Sequence, residues 1–327
     1  MFLRFPGGKN MPVVNGEVVL GNRAVSKIGA LLVLLFLQLY AGKCEAFEVD
    51  PLEKTYDIRI LFSKNTIKGR YYRPEPDMGK PLLVLIHGAT YGRWMWDVPG
   101  YSWIDFFVVQ LGYPVLAIDR LGYGASSHPN GNILTPRCQV QSLKQVLVKV
   151  KQESGQRRII VIGHSMGGLL GNMIAGETRL LDGLITIGWL HGEKETQIGP
   201  PFSSILKNSY VTWKDAEREA AFYNVHDADR KIVAHDNSRS YPMPRGSTFS
   251  FFSPDRFVLS QINIPVLLVA GEKDALWADI DLEAESSLFE KTRVATYVQK
   301  NAGHTCMLHR SYRSLLDTIS NWLEENF

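Results

Sequence analysis

Apolar positions along this 327-residue chain cluster into short unbroken runs. Leu82–His87 (LLVLIH), Val115–Asp119 (VLAID), Ile159–His164 (IIVIGH), Leu184–Gly188 (LITIG) and Val266–Gly271 (VLLVAG) share one form, with Ala295–Val298 as a weaker last instance. Runs this short, ending at Gly, His or Asp, read as strands buried on both faces of a parallel sheet. Thr55–Phe62 behaves differently. It alternates in and out, and Asn65 is expected to turn the chain into Ile67–Tyr72, giving a leading hairpin. Helical segments lie between the runs, at Trp103–Leu111, Gln139–Lys151, Met166–Ala175 and Ser311–Glu325. The order predicts an α/β chain with a predominantly parallel sheet.

One stretch breaks this rhythm. Between Trp189 and Ile264 roughly seventy residues pass without a core-strand signal, far beyond an ordinary connection. The segment is rich in aromatics, among them Trp213, Phe222, Phe251 and Phe252. A cap folded over the C-terminal edge of the sheet is expected at about 192–263, because ligands of α/β sheets bind at that edge. Trp94, Trp213 and Phe252 are the expected substrate-binding aromatics.

Charge narrows the range of partners. Residues 1–46 carry Arg4, Lys9, Arg23, Lys27 and Lys43 against Glu17 and Glu45, which is the whole net charge of +3. The remainder is neutral and has no basic footprint for phosphates, so a nucleic-acid partner is excluded. Within the leader, Ile28–Leu37 is unbroken and apolar. Lys27 precedes it and Cys44-Glu45-Ala46 follows. This is the order of a secretory signal peptide over residues 1–46, with residues 47–327 as the mature domain and no stable membrane span after cleavage. The expectation is a secreted protein; the alternative is an anchor through residues 28–41. Without Cys44, Cys138 and Cys306 form either one bridge or two free thiols.

Candidate chemistry sits at the ends of the runs. In Gly163-His164-Ser165-Met166-Gly167 a strand meets a helix, and a sharp turn there would expose the Ser165 hydroxyl as a nucleophile. A serine needs a base and a carboxylate to orient it. Asp274, just after Val266–Gly271, and His304, just after the last strand, supply them in the order Ser, Asp, His. Asp279, Asp281, Glu193 and Glu195 are the competing acids. Gly88, directly after a buried strand, lets a backbone amide point into the site. The Ala89 and Met166 N–H groups are therefore the candidate oxyanion hole, with Thr90 as a helper. The Cys and His residues show no metal-ligand spacing, and neither a metal nor another cofactor is expected.

Together HGAT, DRLGYGASS, GHSMGG, GEKD and AGHT resemble the alpha/beta-hydrolase superfamily, in the branch with a cap after the sixth strand, from about Pro81 to Phe327. The resemblance implies a mostly parallel eight-stranded sheet flanked by helices, with Asp119 in a structural role. A serine at 165 argues against the epoxide hydrolases and dehalogenases, whose nucleophile is an aspartate. The expected activity is a serine hydrolase acting on a carboxylic ester, thioester or lactone of a small-to-medium apolar molecule. Two alternatives stay open. One is carbon–carbon bond hydrolysis or cofactor-free peroxidation on the same triad; the other is a non-catalytic ligand-binding homologue.

Overall fold

Two antiparallel strands open the main sheet, β1 (Leu52–Ile60) and β2 (Ser63–Tyr72). In β1 the apolar Tyr56, Ile58 and Ile60 are buried while Asp57 and Arg59 face solvent. The turn is not at Asn65. Ile60 pairs with Ser63, so Leu61 and Phe62 make a two-residue turn with Leu61 at φ +52°. Asn65 lies inside β2 opposite Ile58, and its Nδ2 donates to the Ser63 carbonyl at 3.3 Å. Register explains the difference. Pairing Tyr56 with Ile67 keeps both on the buried face, whereas a one-residue slip would turn Ile67 outward.

The computed structural model describes residues 50–155, 157–193, 203 and 207–327, together with an antiparallel pair Val13–Val14 and Glu17–Val18 in the N-terminal unit. The signal-peptide reading of Ile28 to Ala46, and Cys44, lie outside the described residues. No helix among the described residues is long and apolar enough to cross a membrane.

Six further strands complete the sheet: β3 (Leu82–Ile86), β4 (Val115–Asp119), β5 (Ile159–His164), β6 (Gly183–Ile187), β7 (Val266–Gly271) and β8 (Val294–Gln299). Their spatial order is β1-β2-β4-β3-β5-β6-β7-β8, with β2 antiparallel to both neighbours and every other pairing parallel. Every residue of β3 to β7 is buried. Alternate side chains feed two cores. Leu82, Val84 and Ile86 pack into one, Leu83 and Leu85 into the other with Trp96, Trp103 and Phe107. Each such aliphatic side chain stabilises the fold by roughly 1.5–3 kcal/mol.

Helices α1 (Pro136–Glu153) and α2 (Met166–Glu177) cover the first core. The start of α1 is set by Thr135, whose hydroxyl accepts from the Cys138 amide, and by Pro136 at the first helical position. The helix expected at Trp103–Leu111 is present, with its Asp105–Gln110 part wound as a π-helix. The Leu111 amide bonds the Phe106 carbonyl five residues back, and the consecutive Phe106, Phe107 and Val108 are all buried.

Between β6 and β7 the described chain forms α3 (Asp215–Phe222), α4 (Arg230–Ser238), a 3₁₀ segment Arg245–Phe252, and a separate strand pair, Tyr210–Val211 with Met243–Pro244. Helix α3 begins on the carboxylate half of a capping box, with Glu217 accepting from the Lys214 amide at 2.8 Å. A short α5 (Leu282–Ser286) follows β7, and α6 (Tyr312–Asn326) buries Leu315, Leu316, Ile319 and Leu323 against the second core. Cys138 and Cys306 are both free thiols.

Candidate active site

The turn from β5 into α2 places Ser165 at φ +52°, ψ −118°, a region that a residue with a Cβ occupies only under constraint. Glycine on either side makes the turn passable. A Cβ on Gly163 would lie 2.3 Å from the Gly167 carbonyl oxygen, and one on Gly167 would lie 2.1 Å from the Ile86 oxygen. The α2 N-terminus thus stands directly against the end of β3, where the HGAT segment begins.

Gly88 is needed for the same closeness. Its Cβ would meet His164 Nδ1 at 2.8 Å and Ser165 Cβ at 3.1 Å. Ala89 and Met166 both line the cavity at Ser165, and among the described residues neither amide N–H donates to a protein acceptor. Thr90, beyond them, sits at φ +65°. The loop is fixed from below by the fully buried Arg120, whose Nε and one terminal nitrogen donate to the His87 and Gly88 carbonyls at 3.0 and 2.9 Å. Burial, with Arg120 beside it, holds the His87 imidazole well below its usual pKa. His87 is therefore neutral, and its Nε2 accepts from the Arg120 amide at 3.0 Å. Asp119 is structural, as the resemblance implies: it accepts from the Arg93 and Ala125 amides at 2.8 and 3.1 Å.

His304 Nδ1 donates to Asp274 Oδ2 at 2.7 Å, and Asp274 Oδ1 accepts from the Leu276 amide at 3.0 Å. The other acids are accounted for elsewhere. Asp281 caps α5 through the Glu283 and Ala284 amides, Asp279 bonds the adjacent Ile280 amide, and Glu193 is exposed. Glu195 lies outside the described residues. With Nδ1 committed to Asp274, His304 Nε2 presents its lone pair, and it is buried without a protein partner. Ser165 and His304 line one cavity but are not hydrogen-bonded to each other. Such bonds are commonly loose before substrate binds and tighten in the complex.

That cavity is about 90 Å³, small beside the roughly 300–1,000 Å³ of typical ligand pockets. Trp189, Trp213, Phe222, Trp277 and Met243 line it. Trp213 stacks on Phe222 at 5.4 Å between centroids, and Phe222 packs on the His304 ring at 5.6 Å. Of the three aromatics expected to bind substrate, Trp213 is in the wall. Trp94 and Phe252 are not. Trp94 packs on Tyr91 and His235 behind the wall. Phe252 is 78% exposed, and its neighbour Phe251 lines the cavity instead. The tight 3₁₀ turn sends adjacent side chains in different directions, which aromatic content alone does not resolve. Among the described residues no group of three or more His, Cys, Asp or Glu is placed to hold a metal ion.

Two residues absent from the sequence-based candidates hold the His304 loop. His309 accepts at Nε2 from the Gly303 and Asn224 amides at 3.0 and 3.1 Å, and its Nδ1 donates to the Thr305 carbonyl at 2.9 Å. His164 lies 3.2 Å from the His304 carbonyl through Nε2. The one signal in the sequence is the position of His309, five residues beyond His304.

Residues 83–315 match the profile of the Alpha/beta hydrolase family. The AB hydrolase superfamily protein YfhM of Bacillus subtilis is 28% identical over 137 residues, 41% of this chain and 44% of that protein. The chain thus spans less than half the length of this relative. Esterase Rv0045c of Mycobacterium tuberculosis is 22% identical over 75% of this chain and 83% of its own length. A thermophilic esterase from Thermogutta terrifontis superposes with a TM-score of 0.63 at 16% identity, over 84% of this chain and 98% of its own, which is a likeness of fold. The chain belongs to the alpha/beta hydrolase family.

Proposed function

We propose that this alpha/beta hydrolase is a serine hydrolase that cleaves a carboxylic ester, thioester or lactone with a short apolar acyl group. The observation that carries the reading is convergence on one cavity: Ser165 on its constrained turn, His304 held by Asp274, and the Ala89 and Met166 amides. Ser165 Oγ attacks the acyl carbon as His304 Nε2 takes its proton, while the two amides stabilise the oxyanion. His304 returns the proton to the leaving alcohol or thiol, leaving an acyl-enzyme. Water, deprotonated by the same ring, then releases the acid. Relatives and fold neighbours whose names say esterase support ester chemistry. The cavity size supports a short acyl group.

The test is labelling with a fluorophosphonate and turnover of p-nitrophenyl esters of graded chain length. Acetate or propionate should be preferred, with Ser165→Ala losing both label and turnover. Equal labelling of the alanine variant would refute the assignment. For residues 1–46 we propose a cleaved secretory leader, supported by the order of charge, apolar run and small residues. N-terminal sequencing of the exported chain should then begin close to Phe47; an intact, membrane-bound form would favour the anchor through residues 28–41.

A further inference from the structure

The insertion after β6 carries a buried ion pair that no step of this chemistry uses. Arg218 on α3 pairs with Asp236 on α4, and neither side chain has any exposed surface. Three donors converge on the Asp236 carboxylate: Arg218, the Tyr223 hydroxyl, and the Tyr91 hydroxyl at 2.8 Å. Burial pushes this carboxyl's pKa upward against the pull of Arg218. Three converging donors, one of them a guanidinium, nevertheless favour the ionised form. The guanidinium also donates to Thr90 Oγ1 and lies 4.9 Å over the Tyr91 ring.

The partners at the other end of this network matter most. Thr90 and Tyr91 directly follow Ala89. The Tyr91 hydroxyl lies 3.0 Å from Thr305 Oγ1, and Thr305 directly follows His304. Backbone bonds run the same way, from the Tyr241 amide to the Thr90 carbonyl at 2.8 Å and from the Thr305 amide to the Phe222 carbonyl at 3.0 Å. One buried network in the insertion therefore holds both the oxyanion loop and the base loop. Thr90 is a β-branched residue at φ +65°, a conformation that persists only where its surroundings impose it. A buried ion pair is a poor device for stability alone, since apolar residues of similar volume usually serve as well. Directional bonds to two loops are what apolar residues cannot supply.

We propose that Arg218 and Asp236 are positioning residues that set the Ala89 amide and the His304 ring relative to Ser165. The insertion is then part of the catalytic apparatus as well as a wall for the acyl group. This rests on Ser165 as nucleophile and Ala89 as an oxyanion donor.

The test compares wild type with the apolar double variant Arg218→Met/Asp236→Leu and with Tyr91→Phe. Each is titrated to end-point with a fluorophosphonate, then assayed on p-nitrophenyl acetate, with Tm measured alongside. Positioning predicts that kcat per labelled site falls at least about ten-fold in the double variant, by less in Tyr91→Phe, and with KM changed less than kcat. A purely structural role would lower Tm and the labelled fraction while leaving kcat per labelled site at the wild-type value, and that result overturns the proposal. Should the double variant yield no folded protein, Tyr91→Phe decides: an unchanged kcat per labelled site overturns the proposal, and a reduced one with Tm retained supports it. Wild type that does not label removes the nucleophile itself, a failure distinguishable from unchanged kcat in labelled variants.

Discussion

His164, the residue before the candidate nucleophile, lies with its Nε2 3.2 Å from the carbonyl oxygen of His304. The rings are 4.9 Å apart. Burial, with His304 nearby, keeps the His164 imidazole far below its usual pKa, so the ring is neutral and Nε2–H donates. The Ser165 turn and the His304 loop are therefore joined by a side-chain-to-backbone hydrogen bond as well as through the cavity they share.

His164→Leu removes that donor and leaves a buried carbonyl unpaired, at a cost of about 1–3 kcal/mol. Urea unfolding at pH 7 should show this loss, and kcat per labelled site should fall as His304 gains freedom. If stability and rate both match wild type, the 3.2 Å contact contributes nothing.

The carboxylate assignment has its own test. Asp274→Asn keeps the volume but no longer fixes the His304 tautomer, and kcat should drop by about three to four orders of magnitude. Asp281→Asn retains a cap for α5, and Asp279→Asn touches only a local turn, so both should turn over ester at rates close to wild type. Parallel kinetics on the three variants separate these cases.

Much of this site was legible because its requirements are local. The buried strand runs, the glycines flanking Ser165, and the Asp and His after their strands are all fixed by residues within one turn of each other. Steric closeness at Gly163 and Gly167 shows why that signal is strong. What stayed hidden depends on distant partners. Arg218 meets Thr90 across 128 positions, and Tyr91 meets Thr305 across 214. Nor does composition tell which ring of the Phe251–Phe252 pair reaches the cavity. Asn65 misled for a related reason: its turn propensity yielded to the register demanded by Ile67.

Stability should peak near neutral pH, with each limb assigned to named histidines. His191 lies 2.6 Å from Glu285 and 3.0 Å from Asp255, the latter an ion pair too poorly aligned to count as a hydrogen bond. Burial lowers its pKa, but the two carboxylates outweigh this and raise it to about 9. The folded state then binds a proton that the unfolded chain releases near 6.5, so the contribution is full below 6.5 and is lost as pH rises through about 9. Its size is on the order of 3 kcal/mol. His87, His164 and His309 are shifted the opposite way by burial, so their protonation in the unfolded chain erodes stability as pH falls below 6.5. Denaturant unfolding at pH 5.5, 7 and 9.5 measures both limbs. His191→Gln should flatten only the alkaline one; an unchanged alkaline decline in that variant would assign it to other groups.

The acyl wall yields the sharpest substrate prediction. Phe251, although 62% exposed, lines the cavity of about 90 Å³ at Ser165, whereas Phe252, at 78%, does not reach it. Truncating Phe251 to alanine opens space without touching the His304 ring. One methylene in an apolar pocket is worth about 1–3 kcal/mol of discrimination, or roughly ten-fold and upward. Phe251→Ala should therefore raise kcat/KM for p-nitrophenyl butyrate or hexanoate relative to acetate by about ten-fold, with kcat on acetate little changed. Trp213→Ala also widens the cavity but removes the ring on which Phe222 stacks, and Phe222 in turn packs on His304. It should broaden chain length and lower kcat together. Phe252→Ala should do neither. Were Phe252→Ala to shift the preference while Phe251→Ala did not, the wall would be built from the opposite ring.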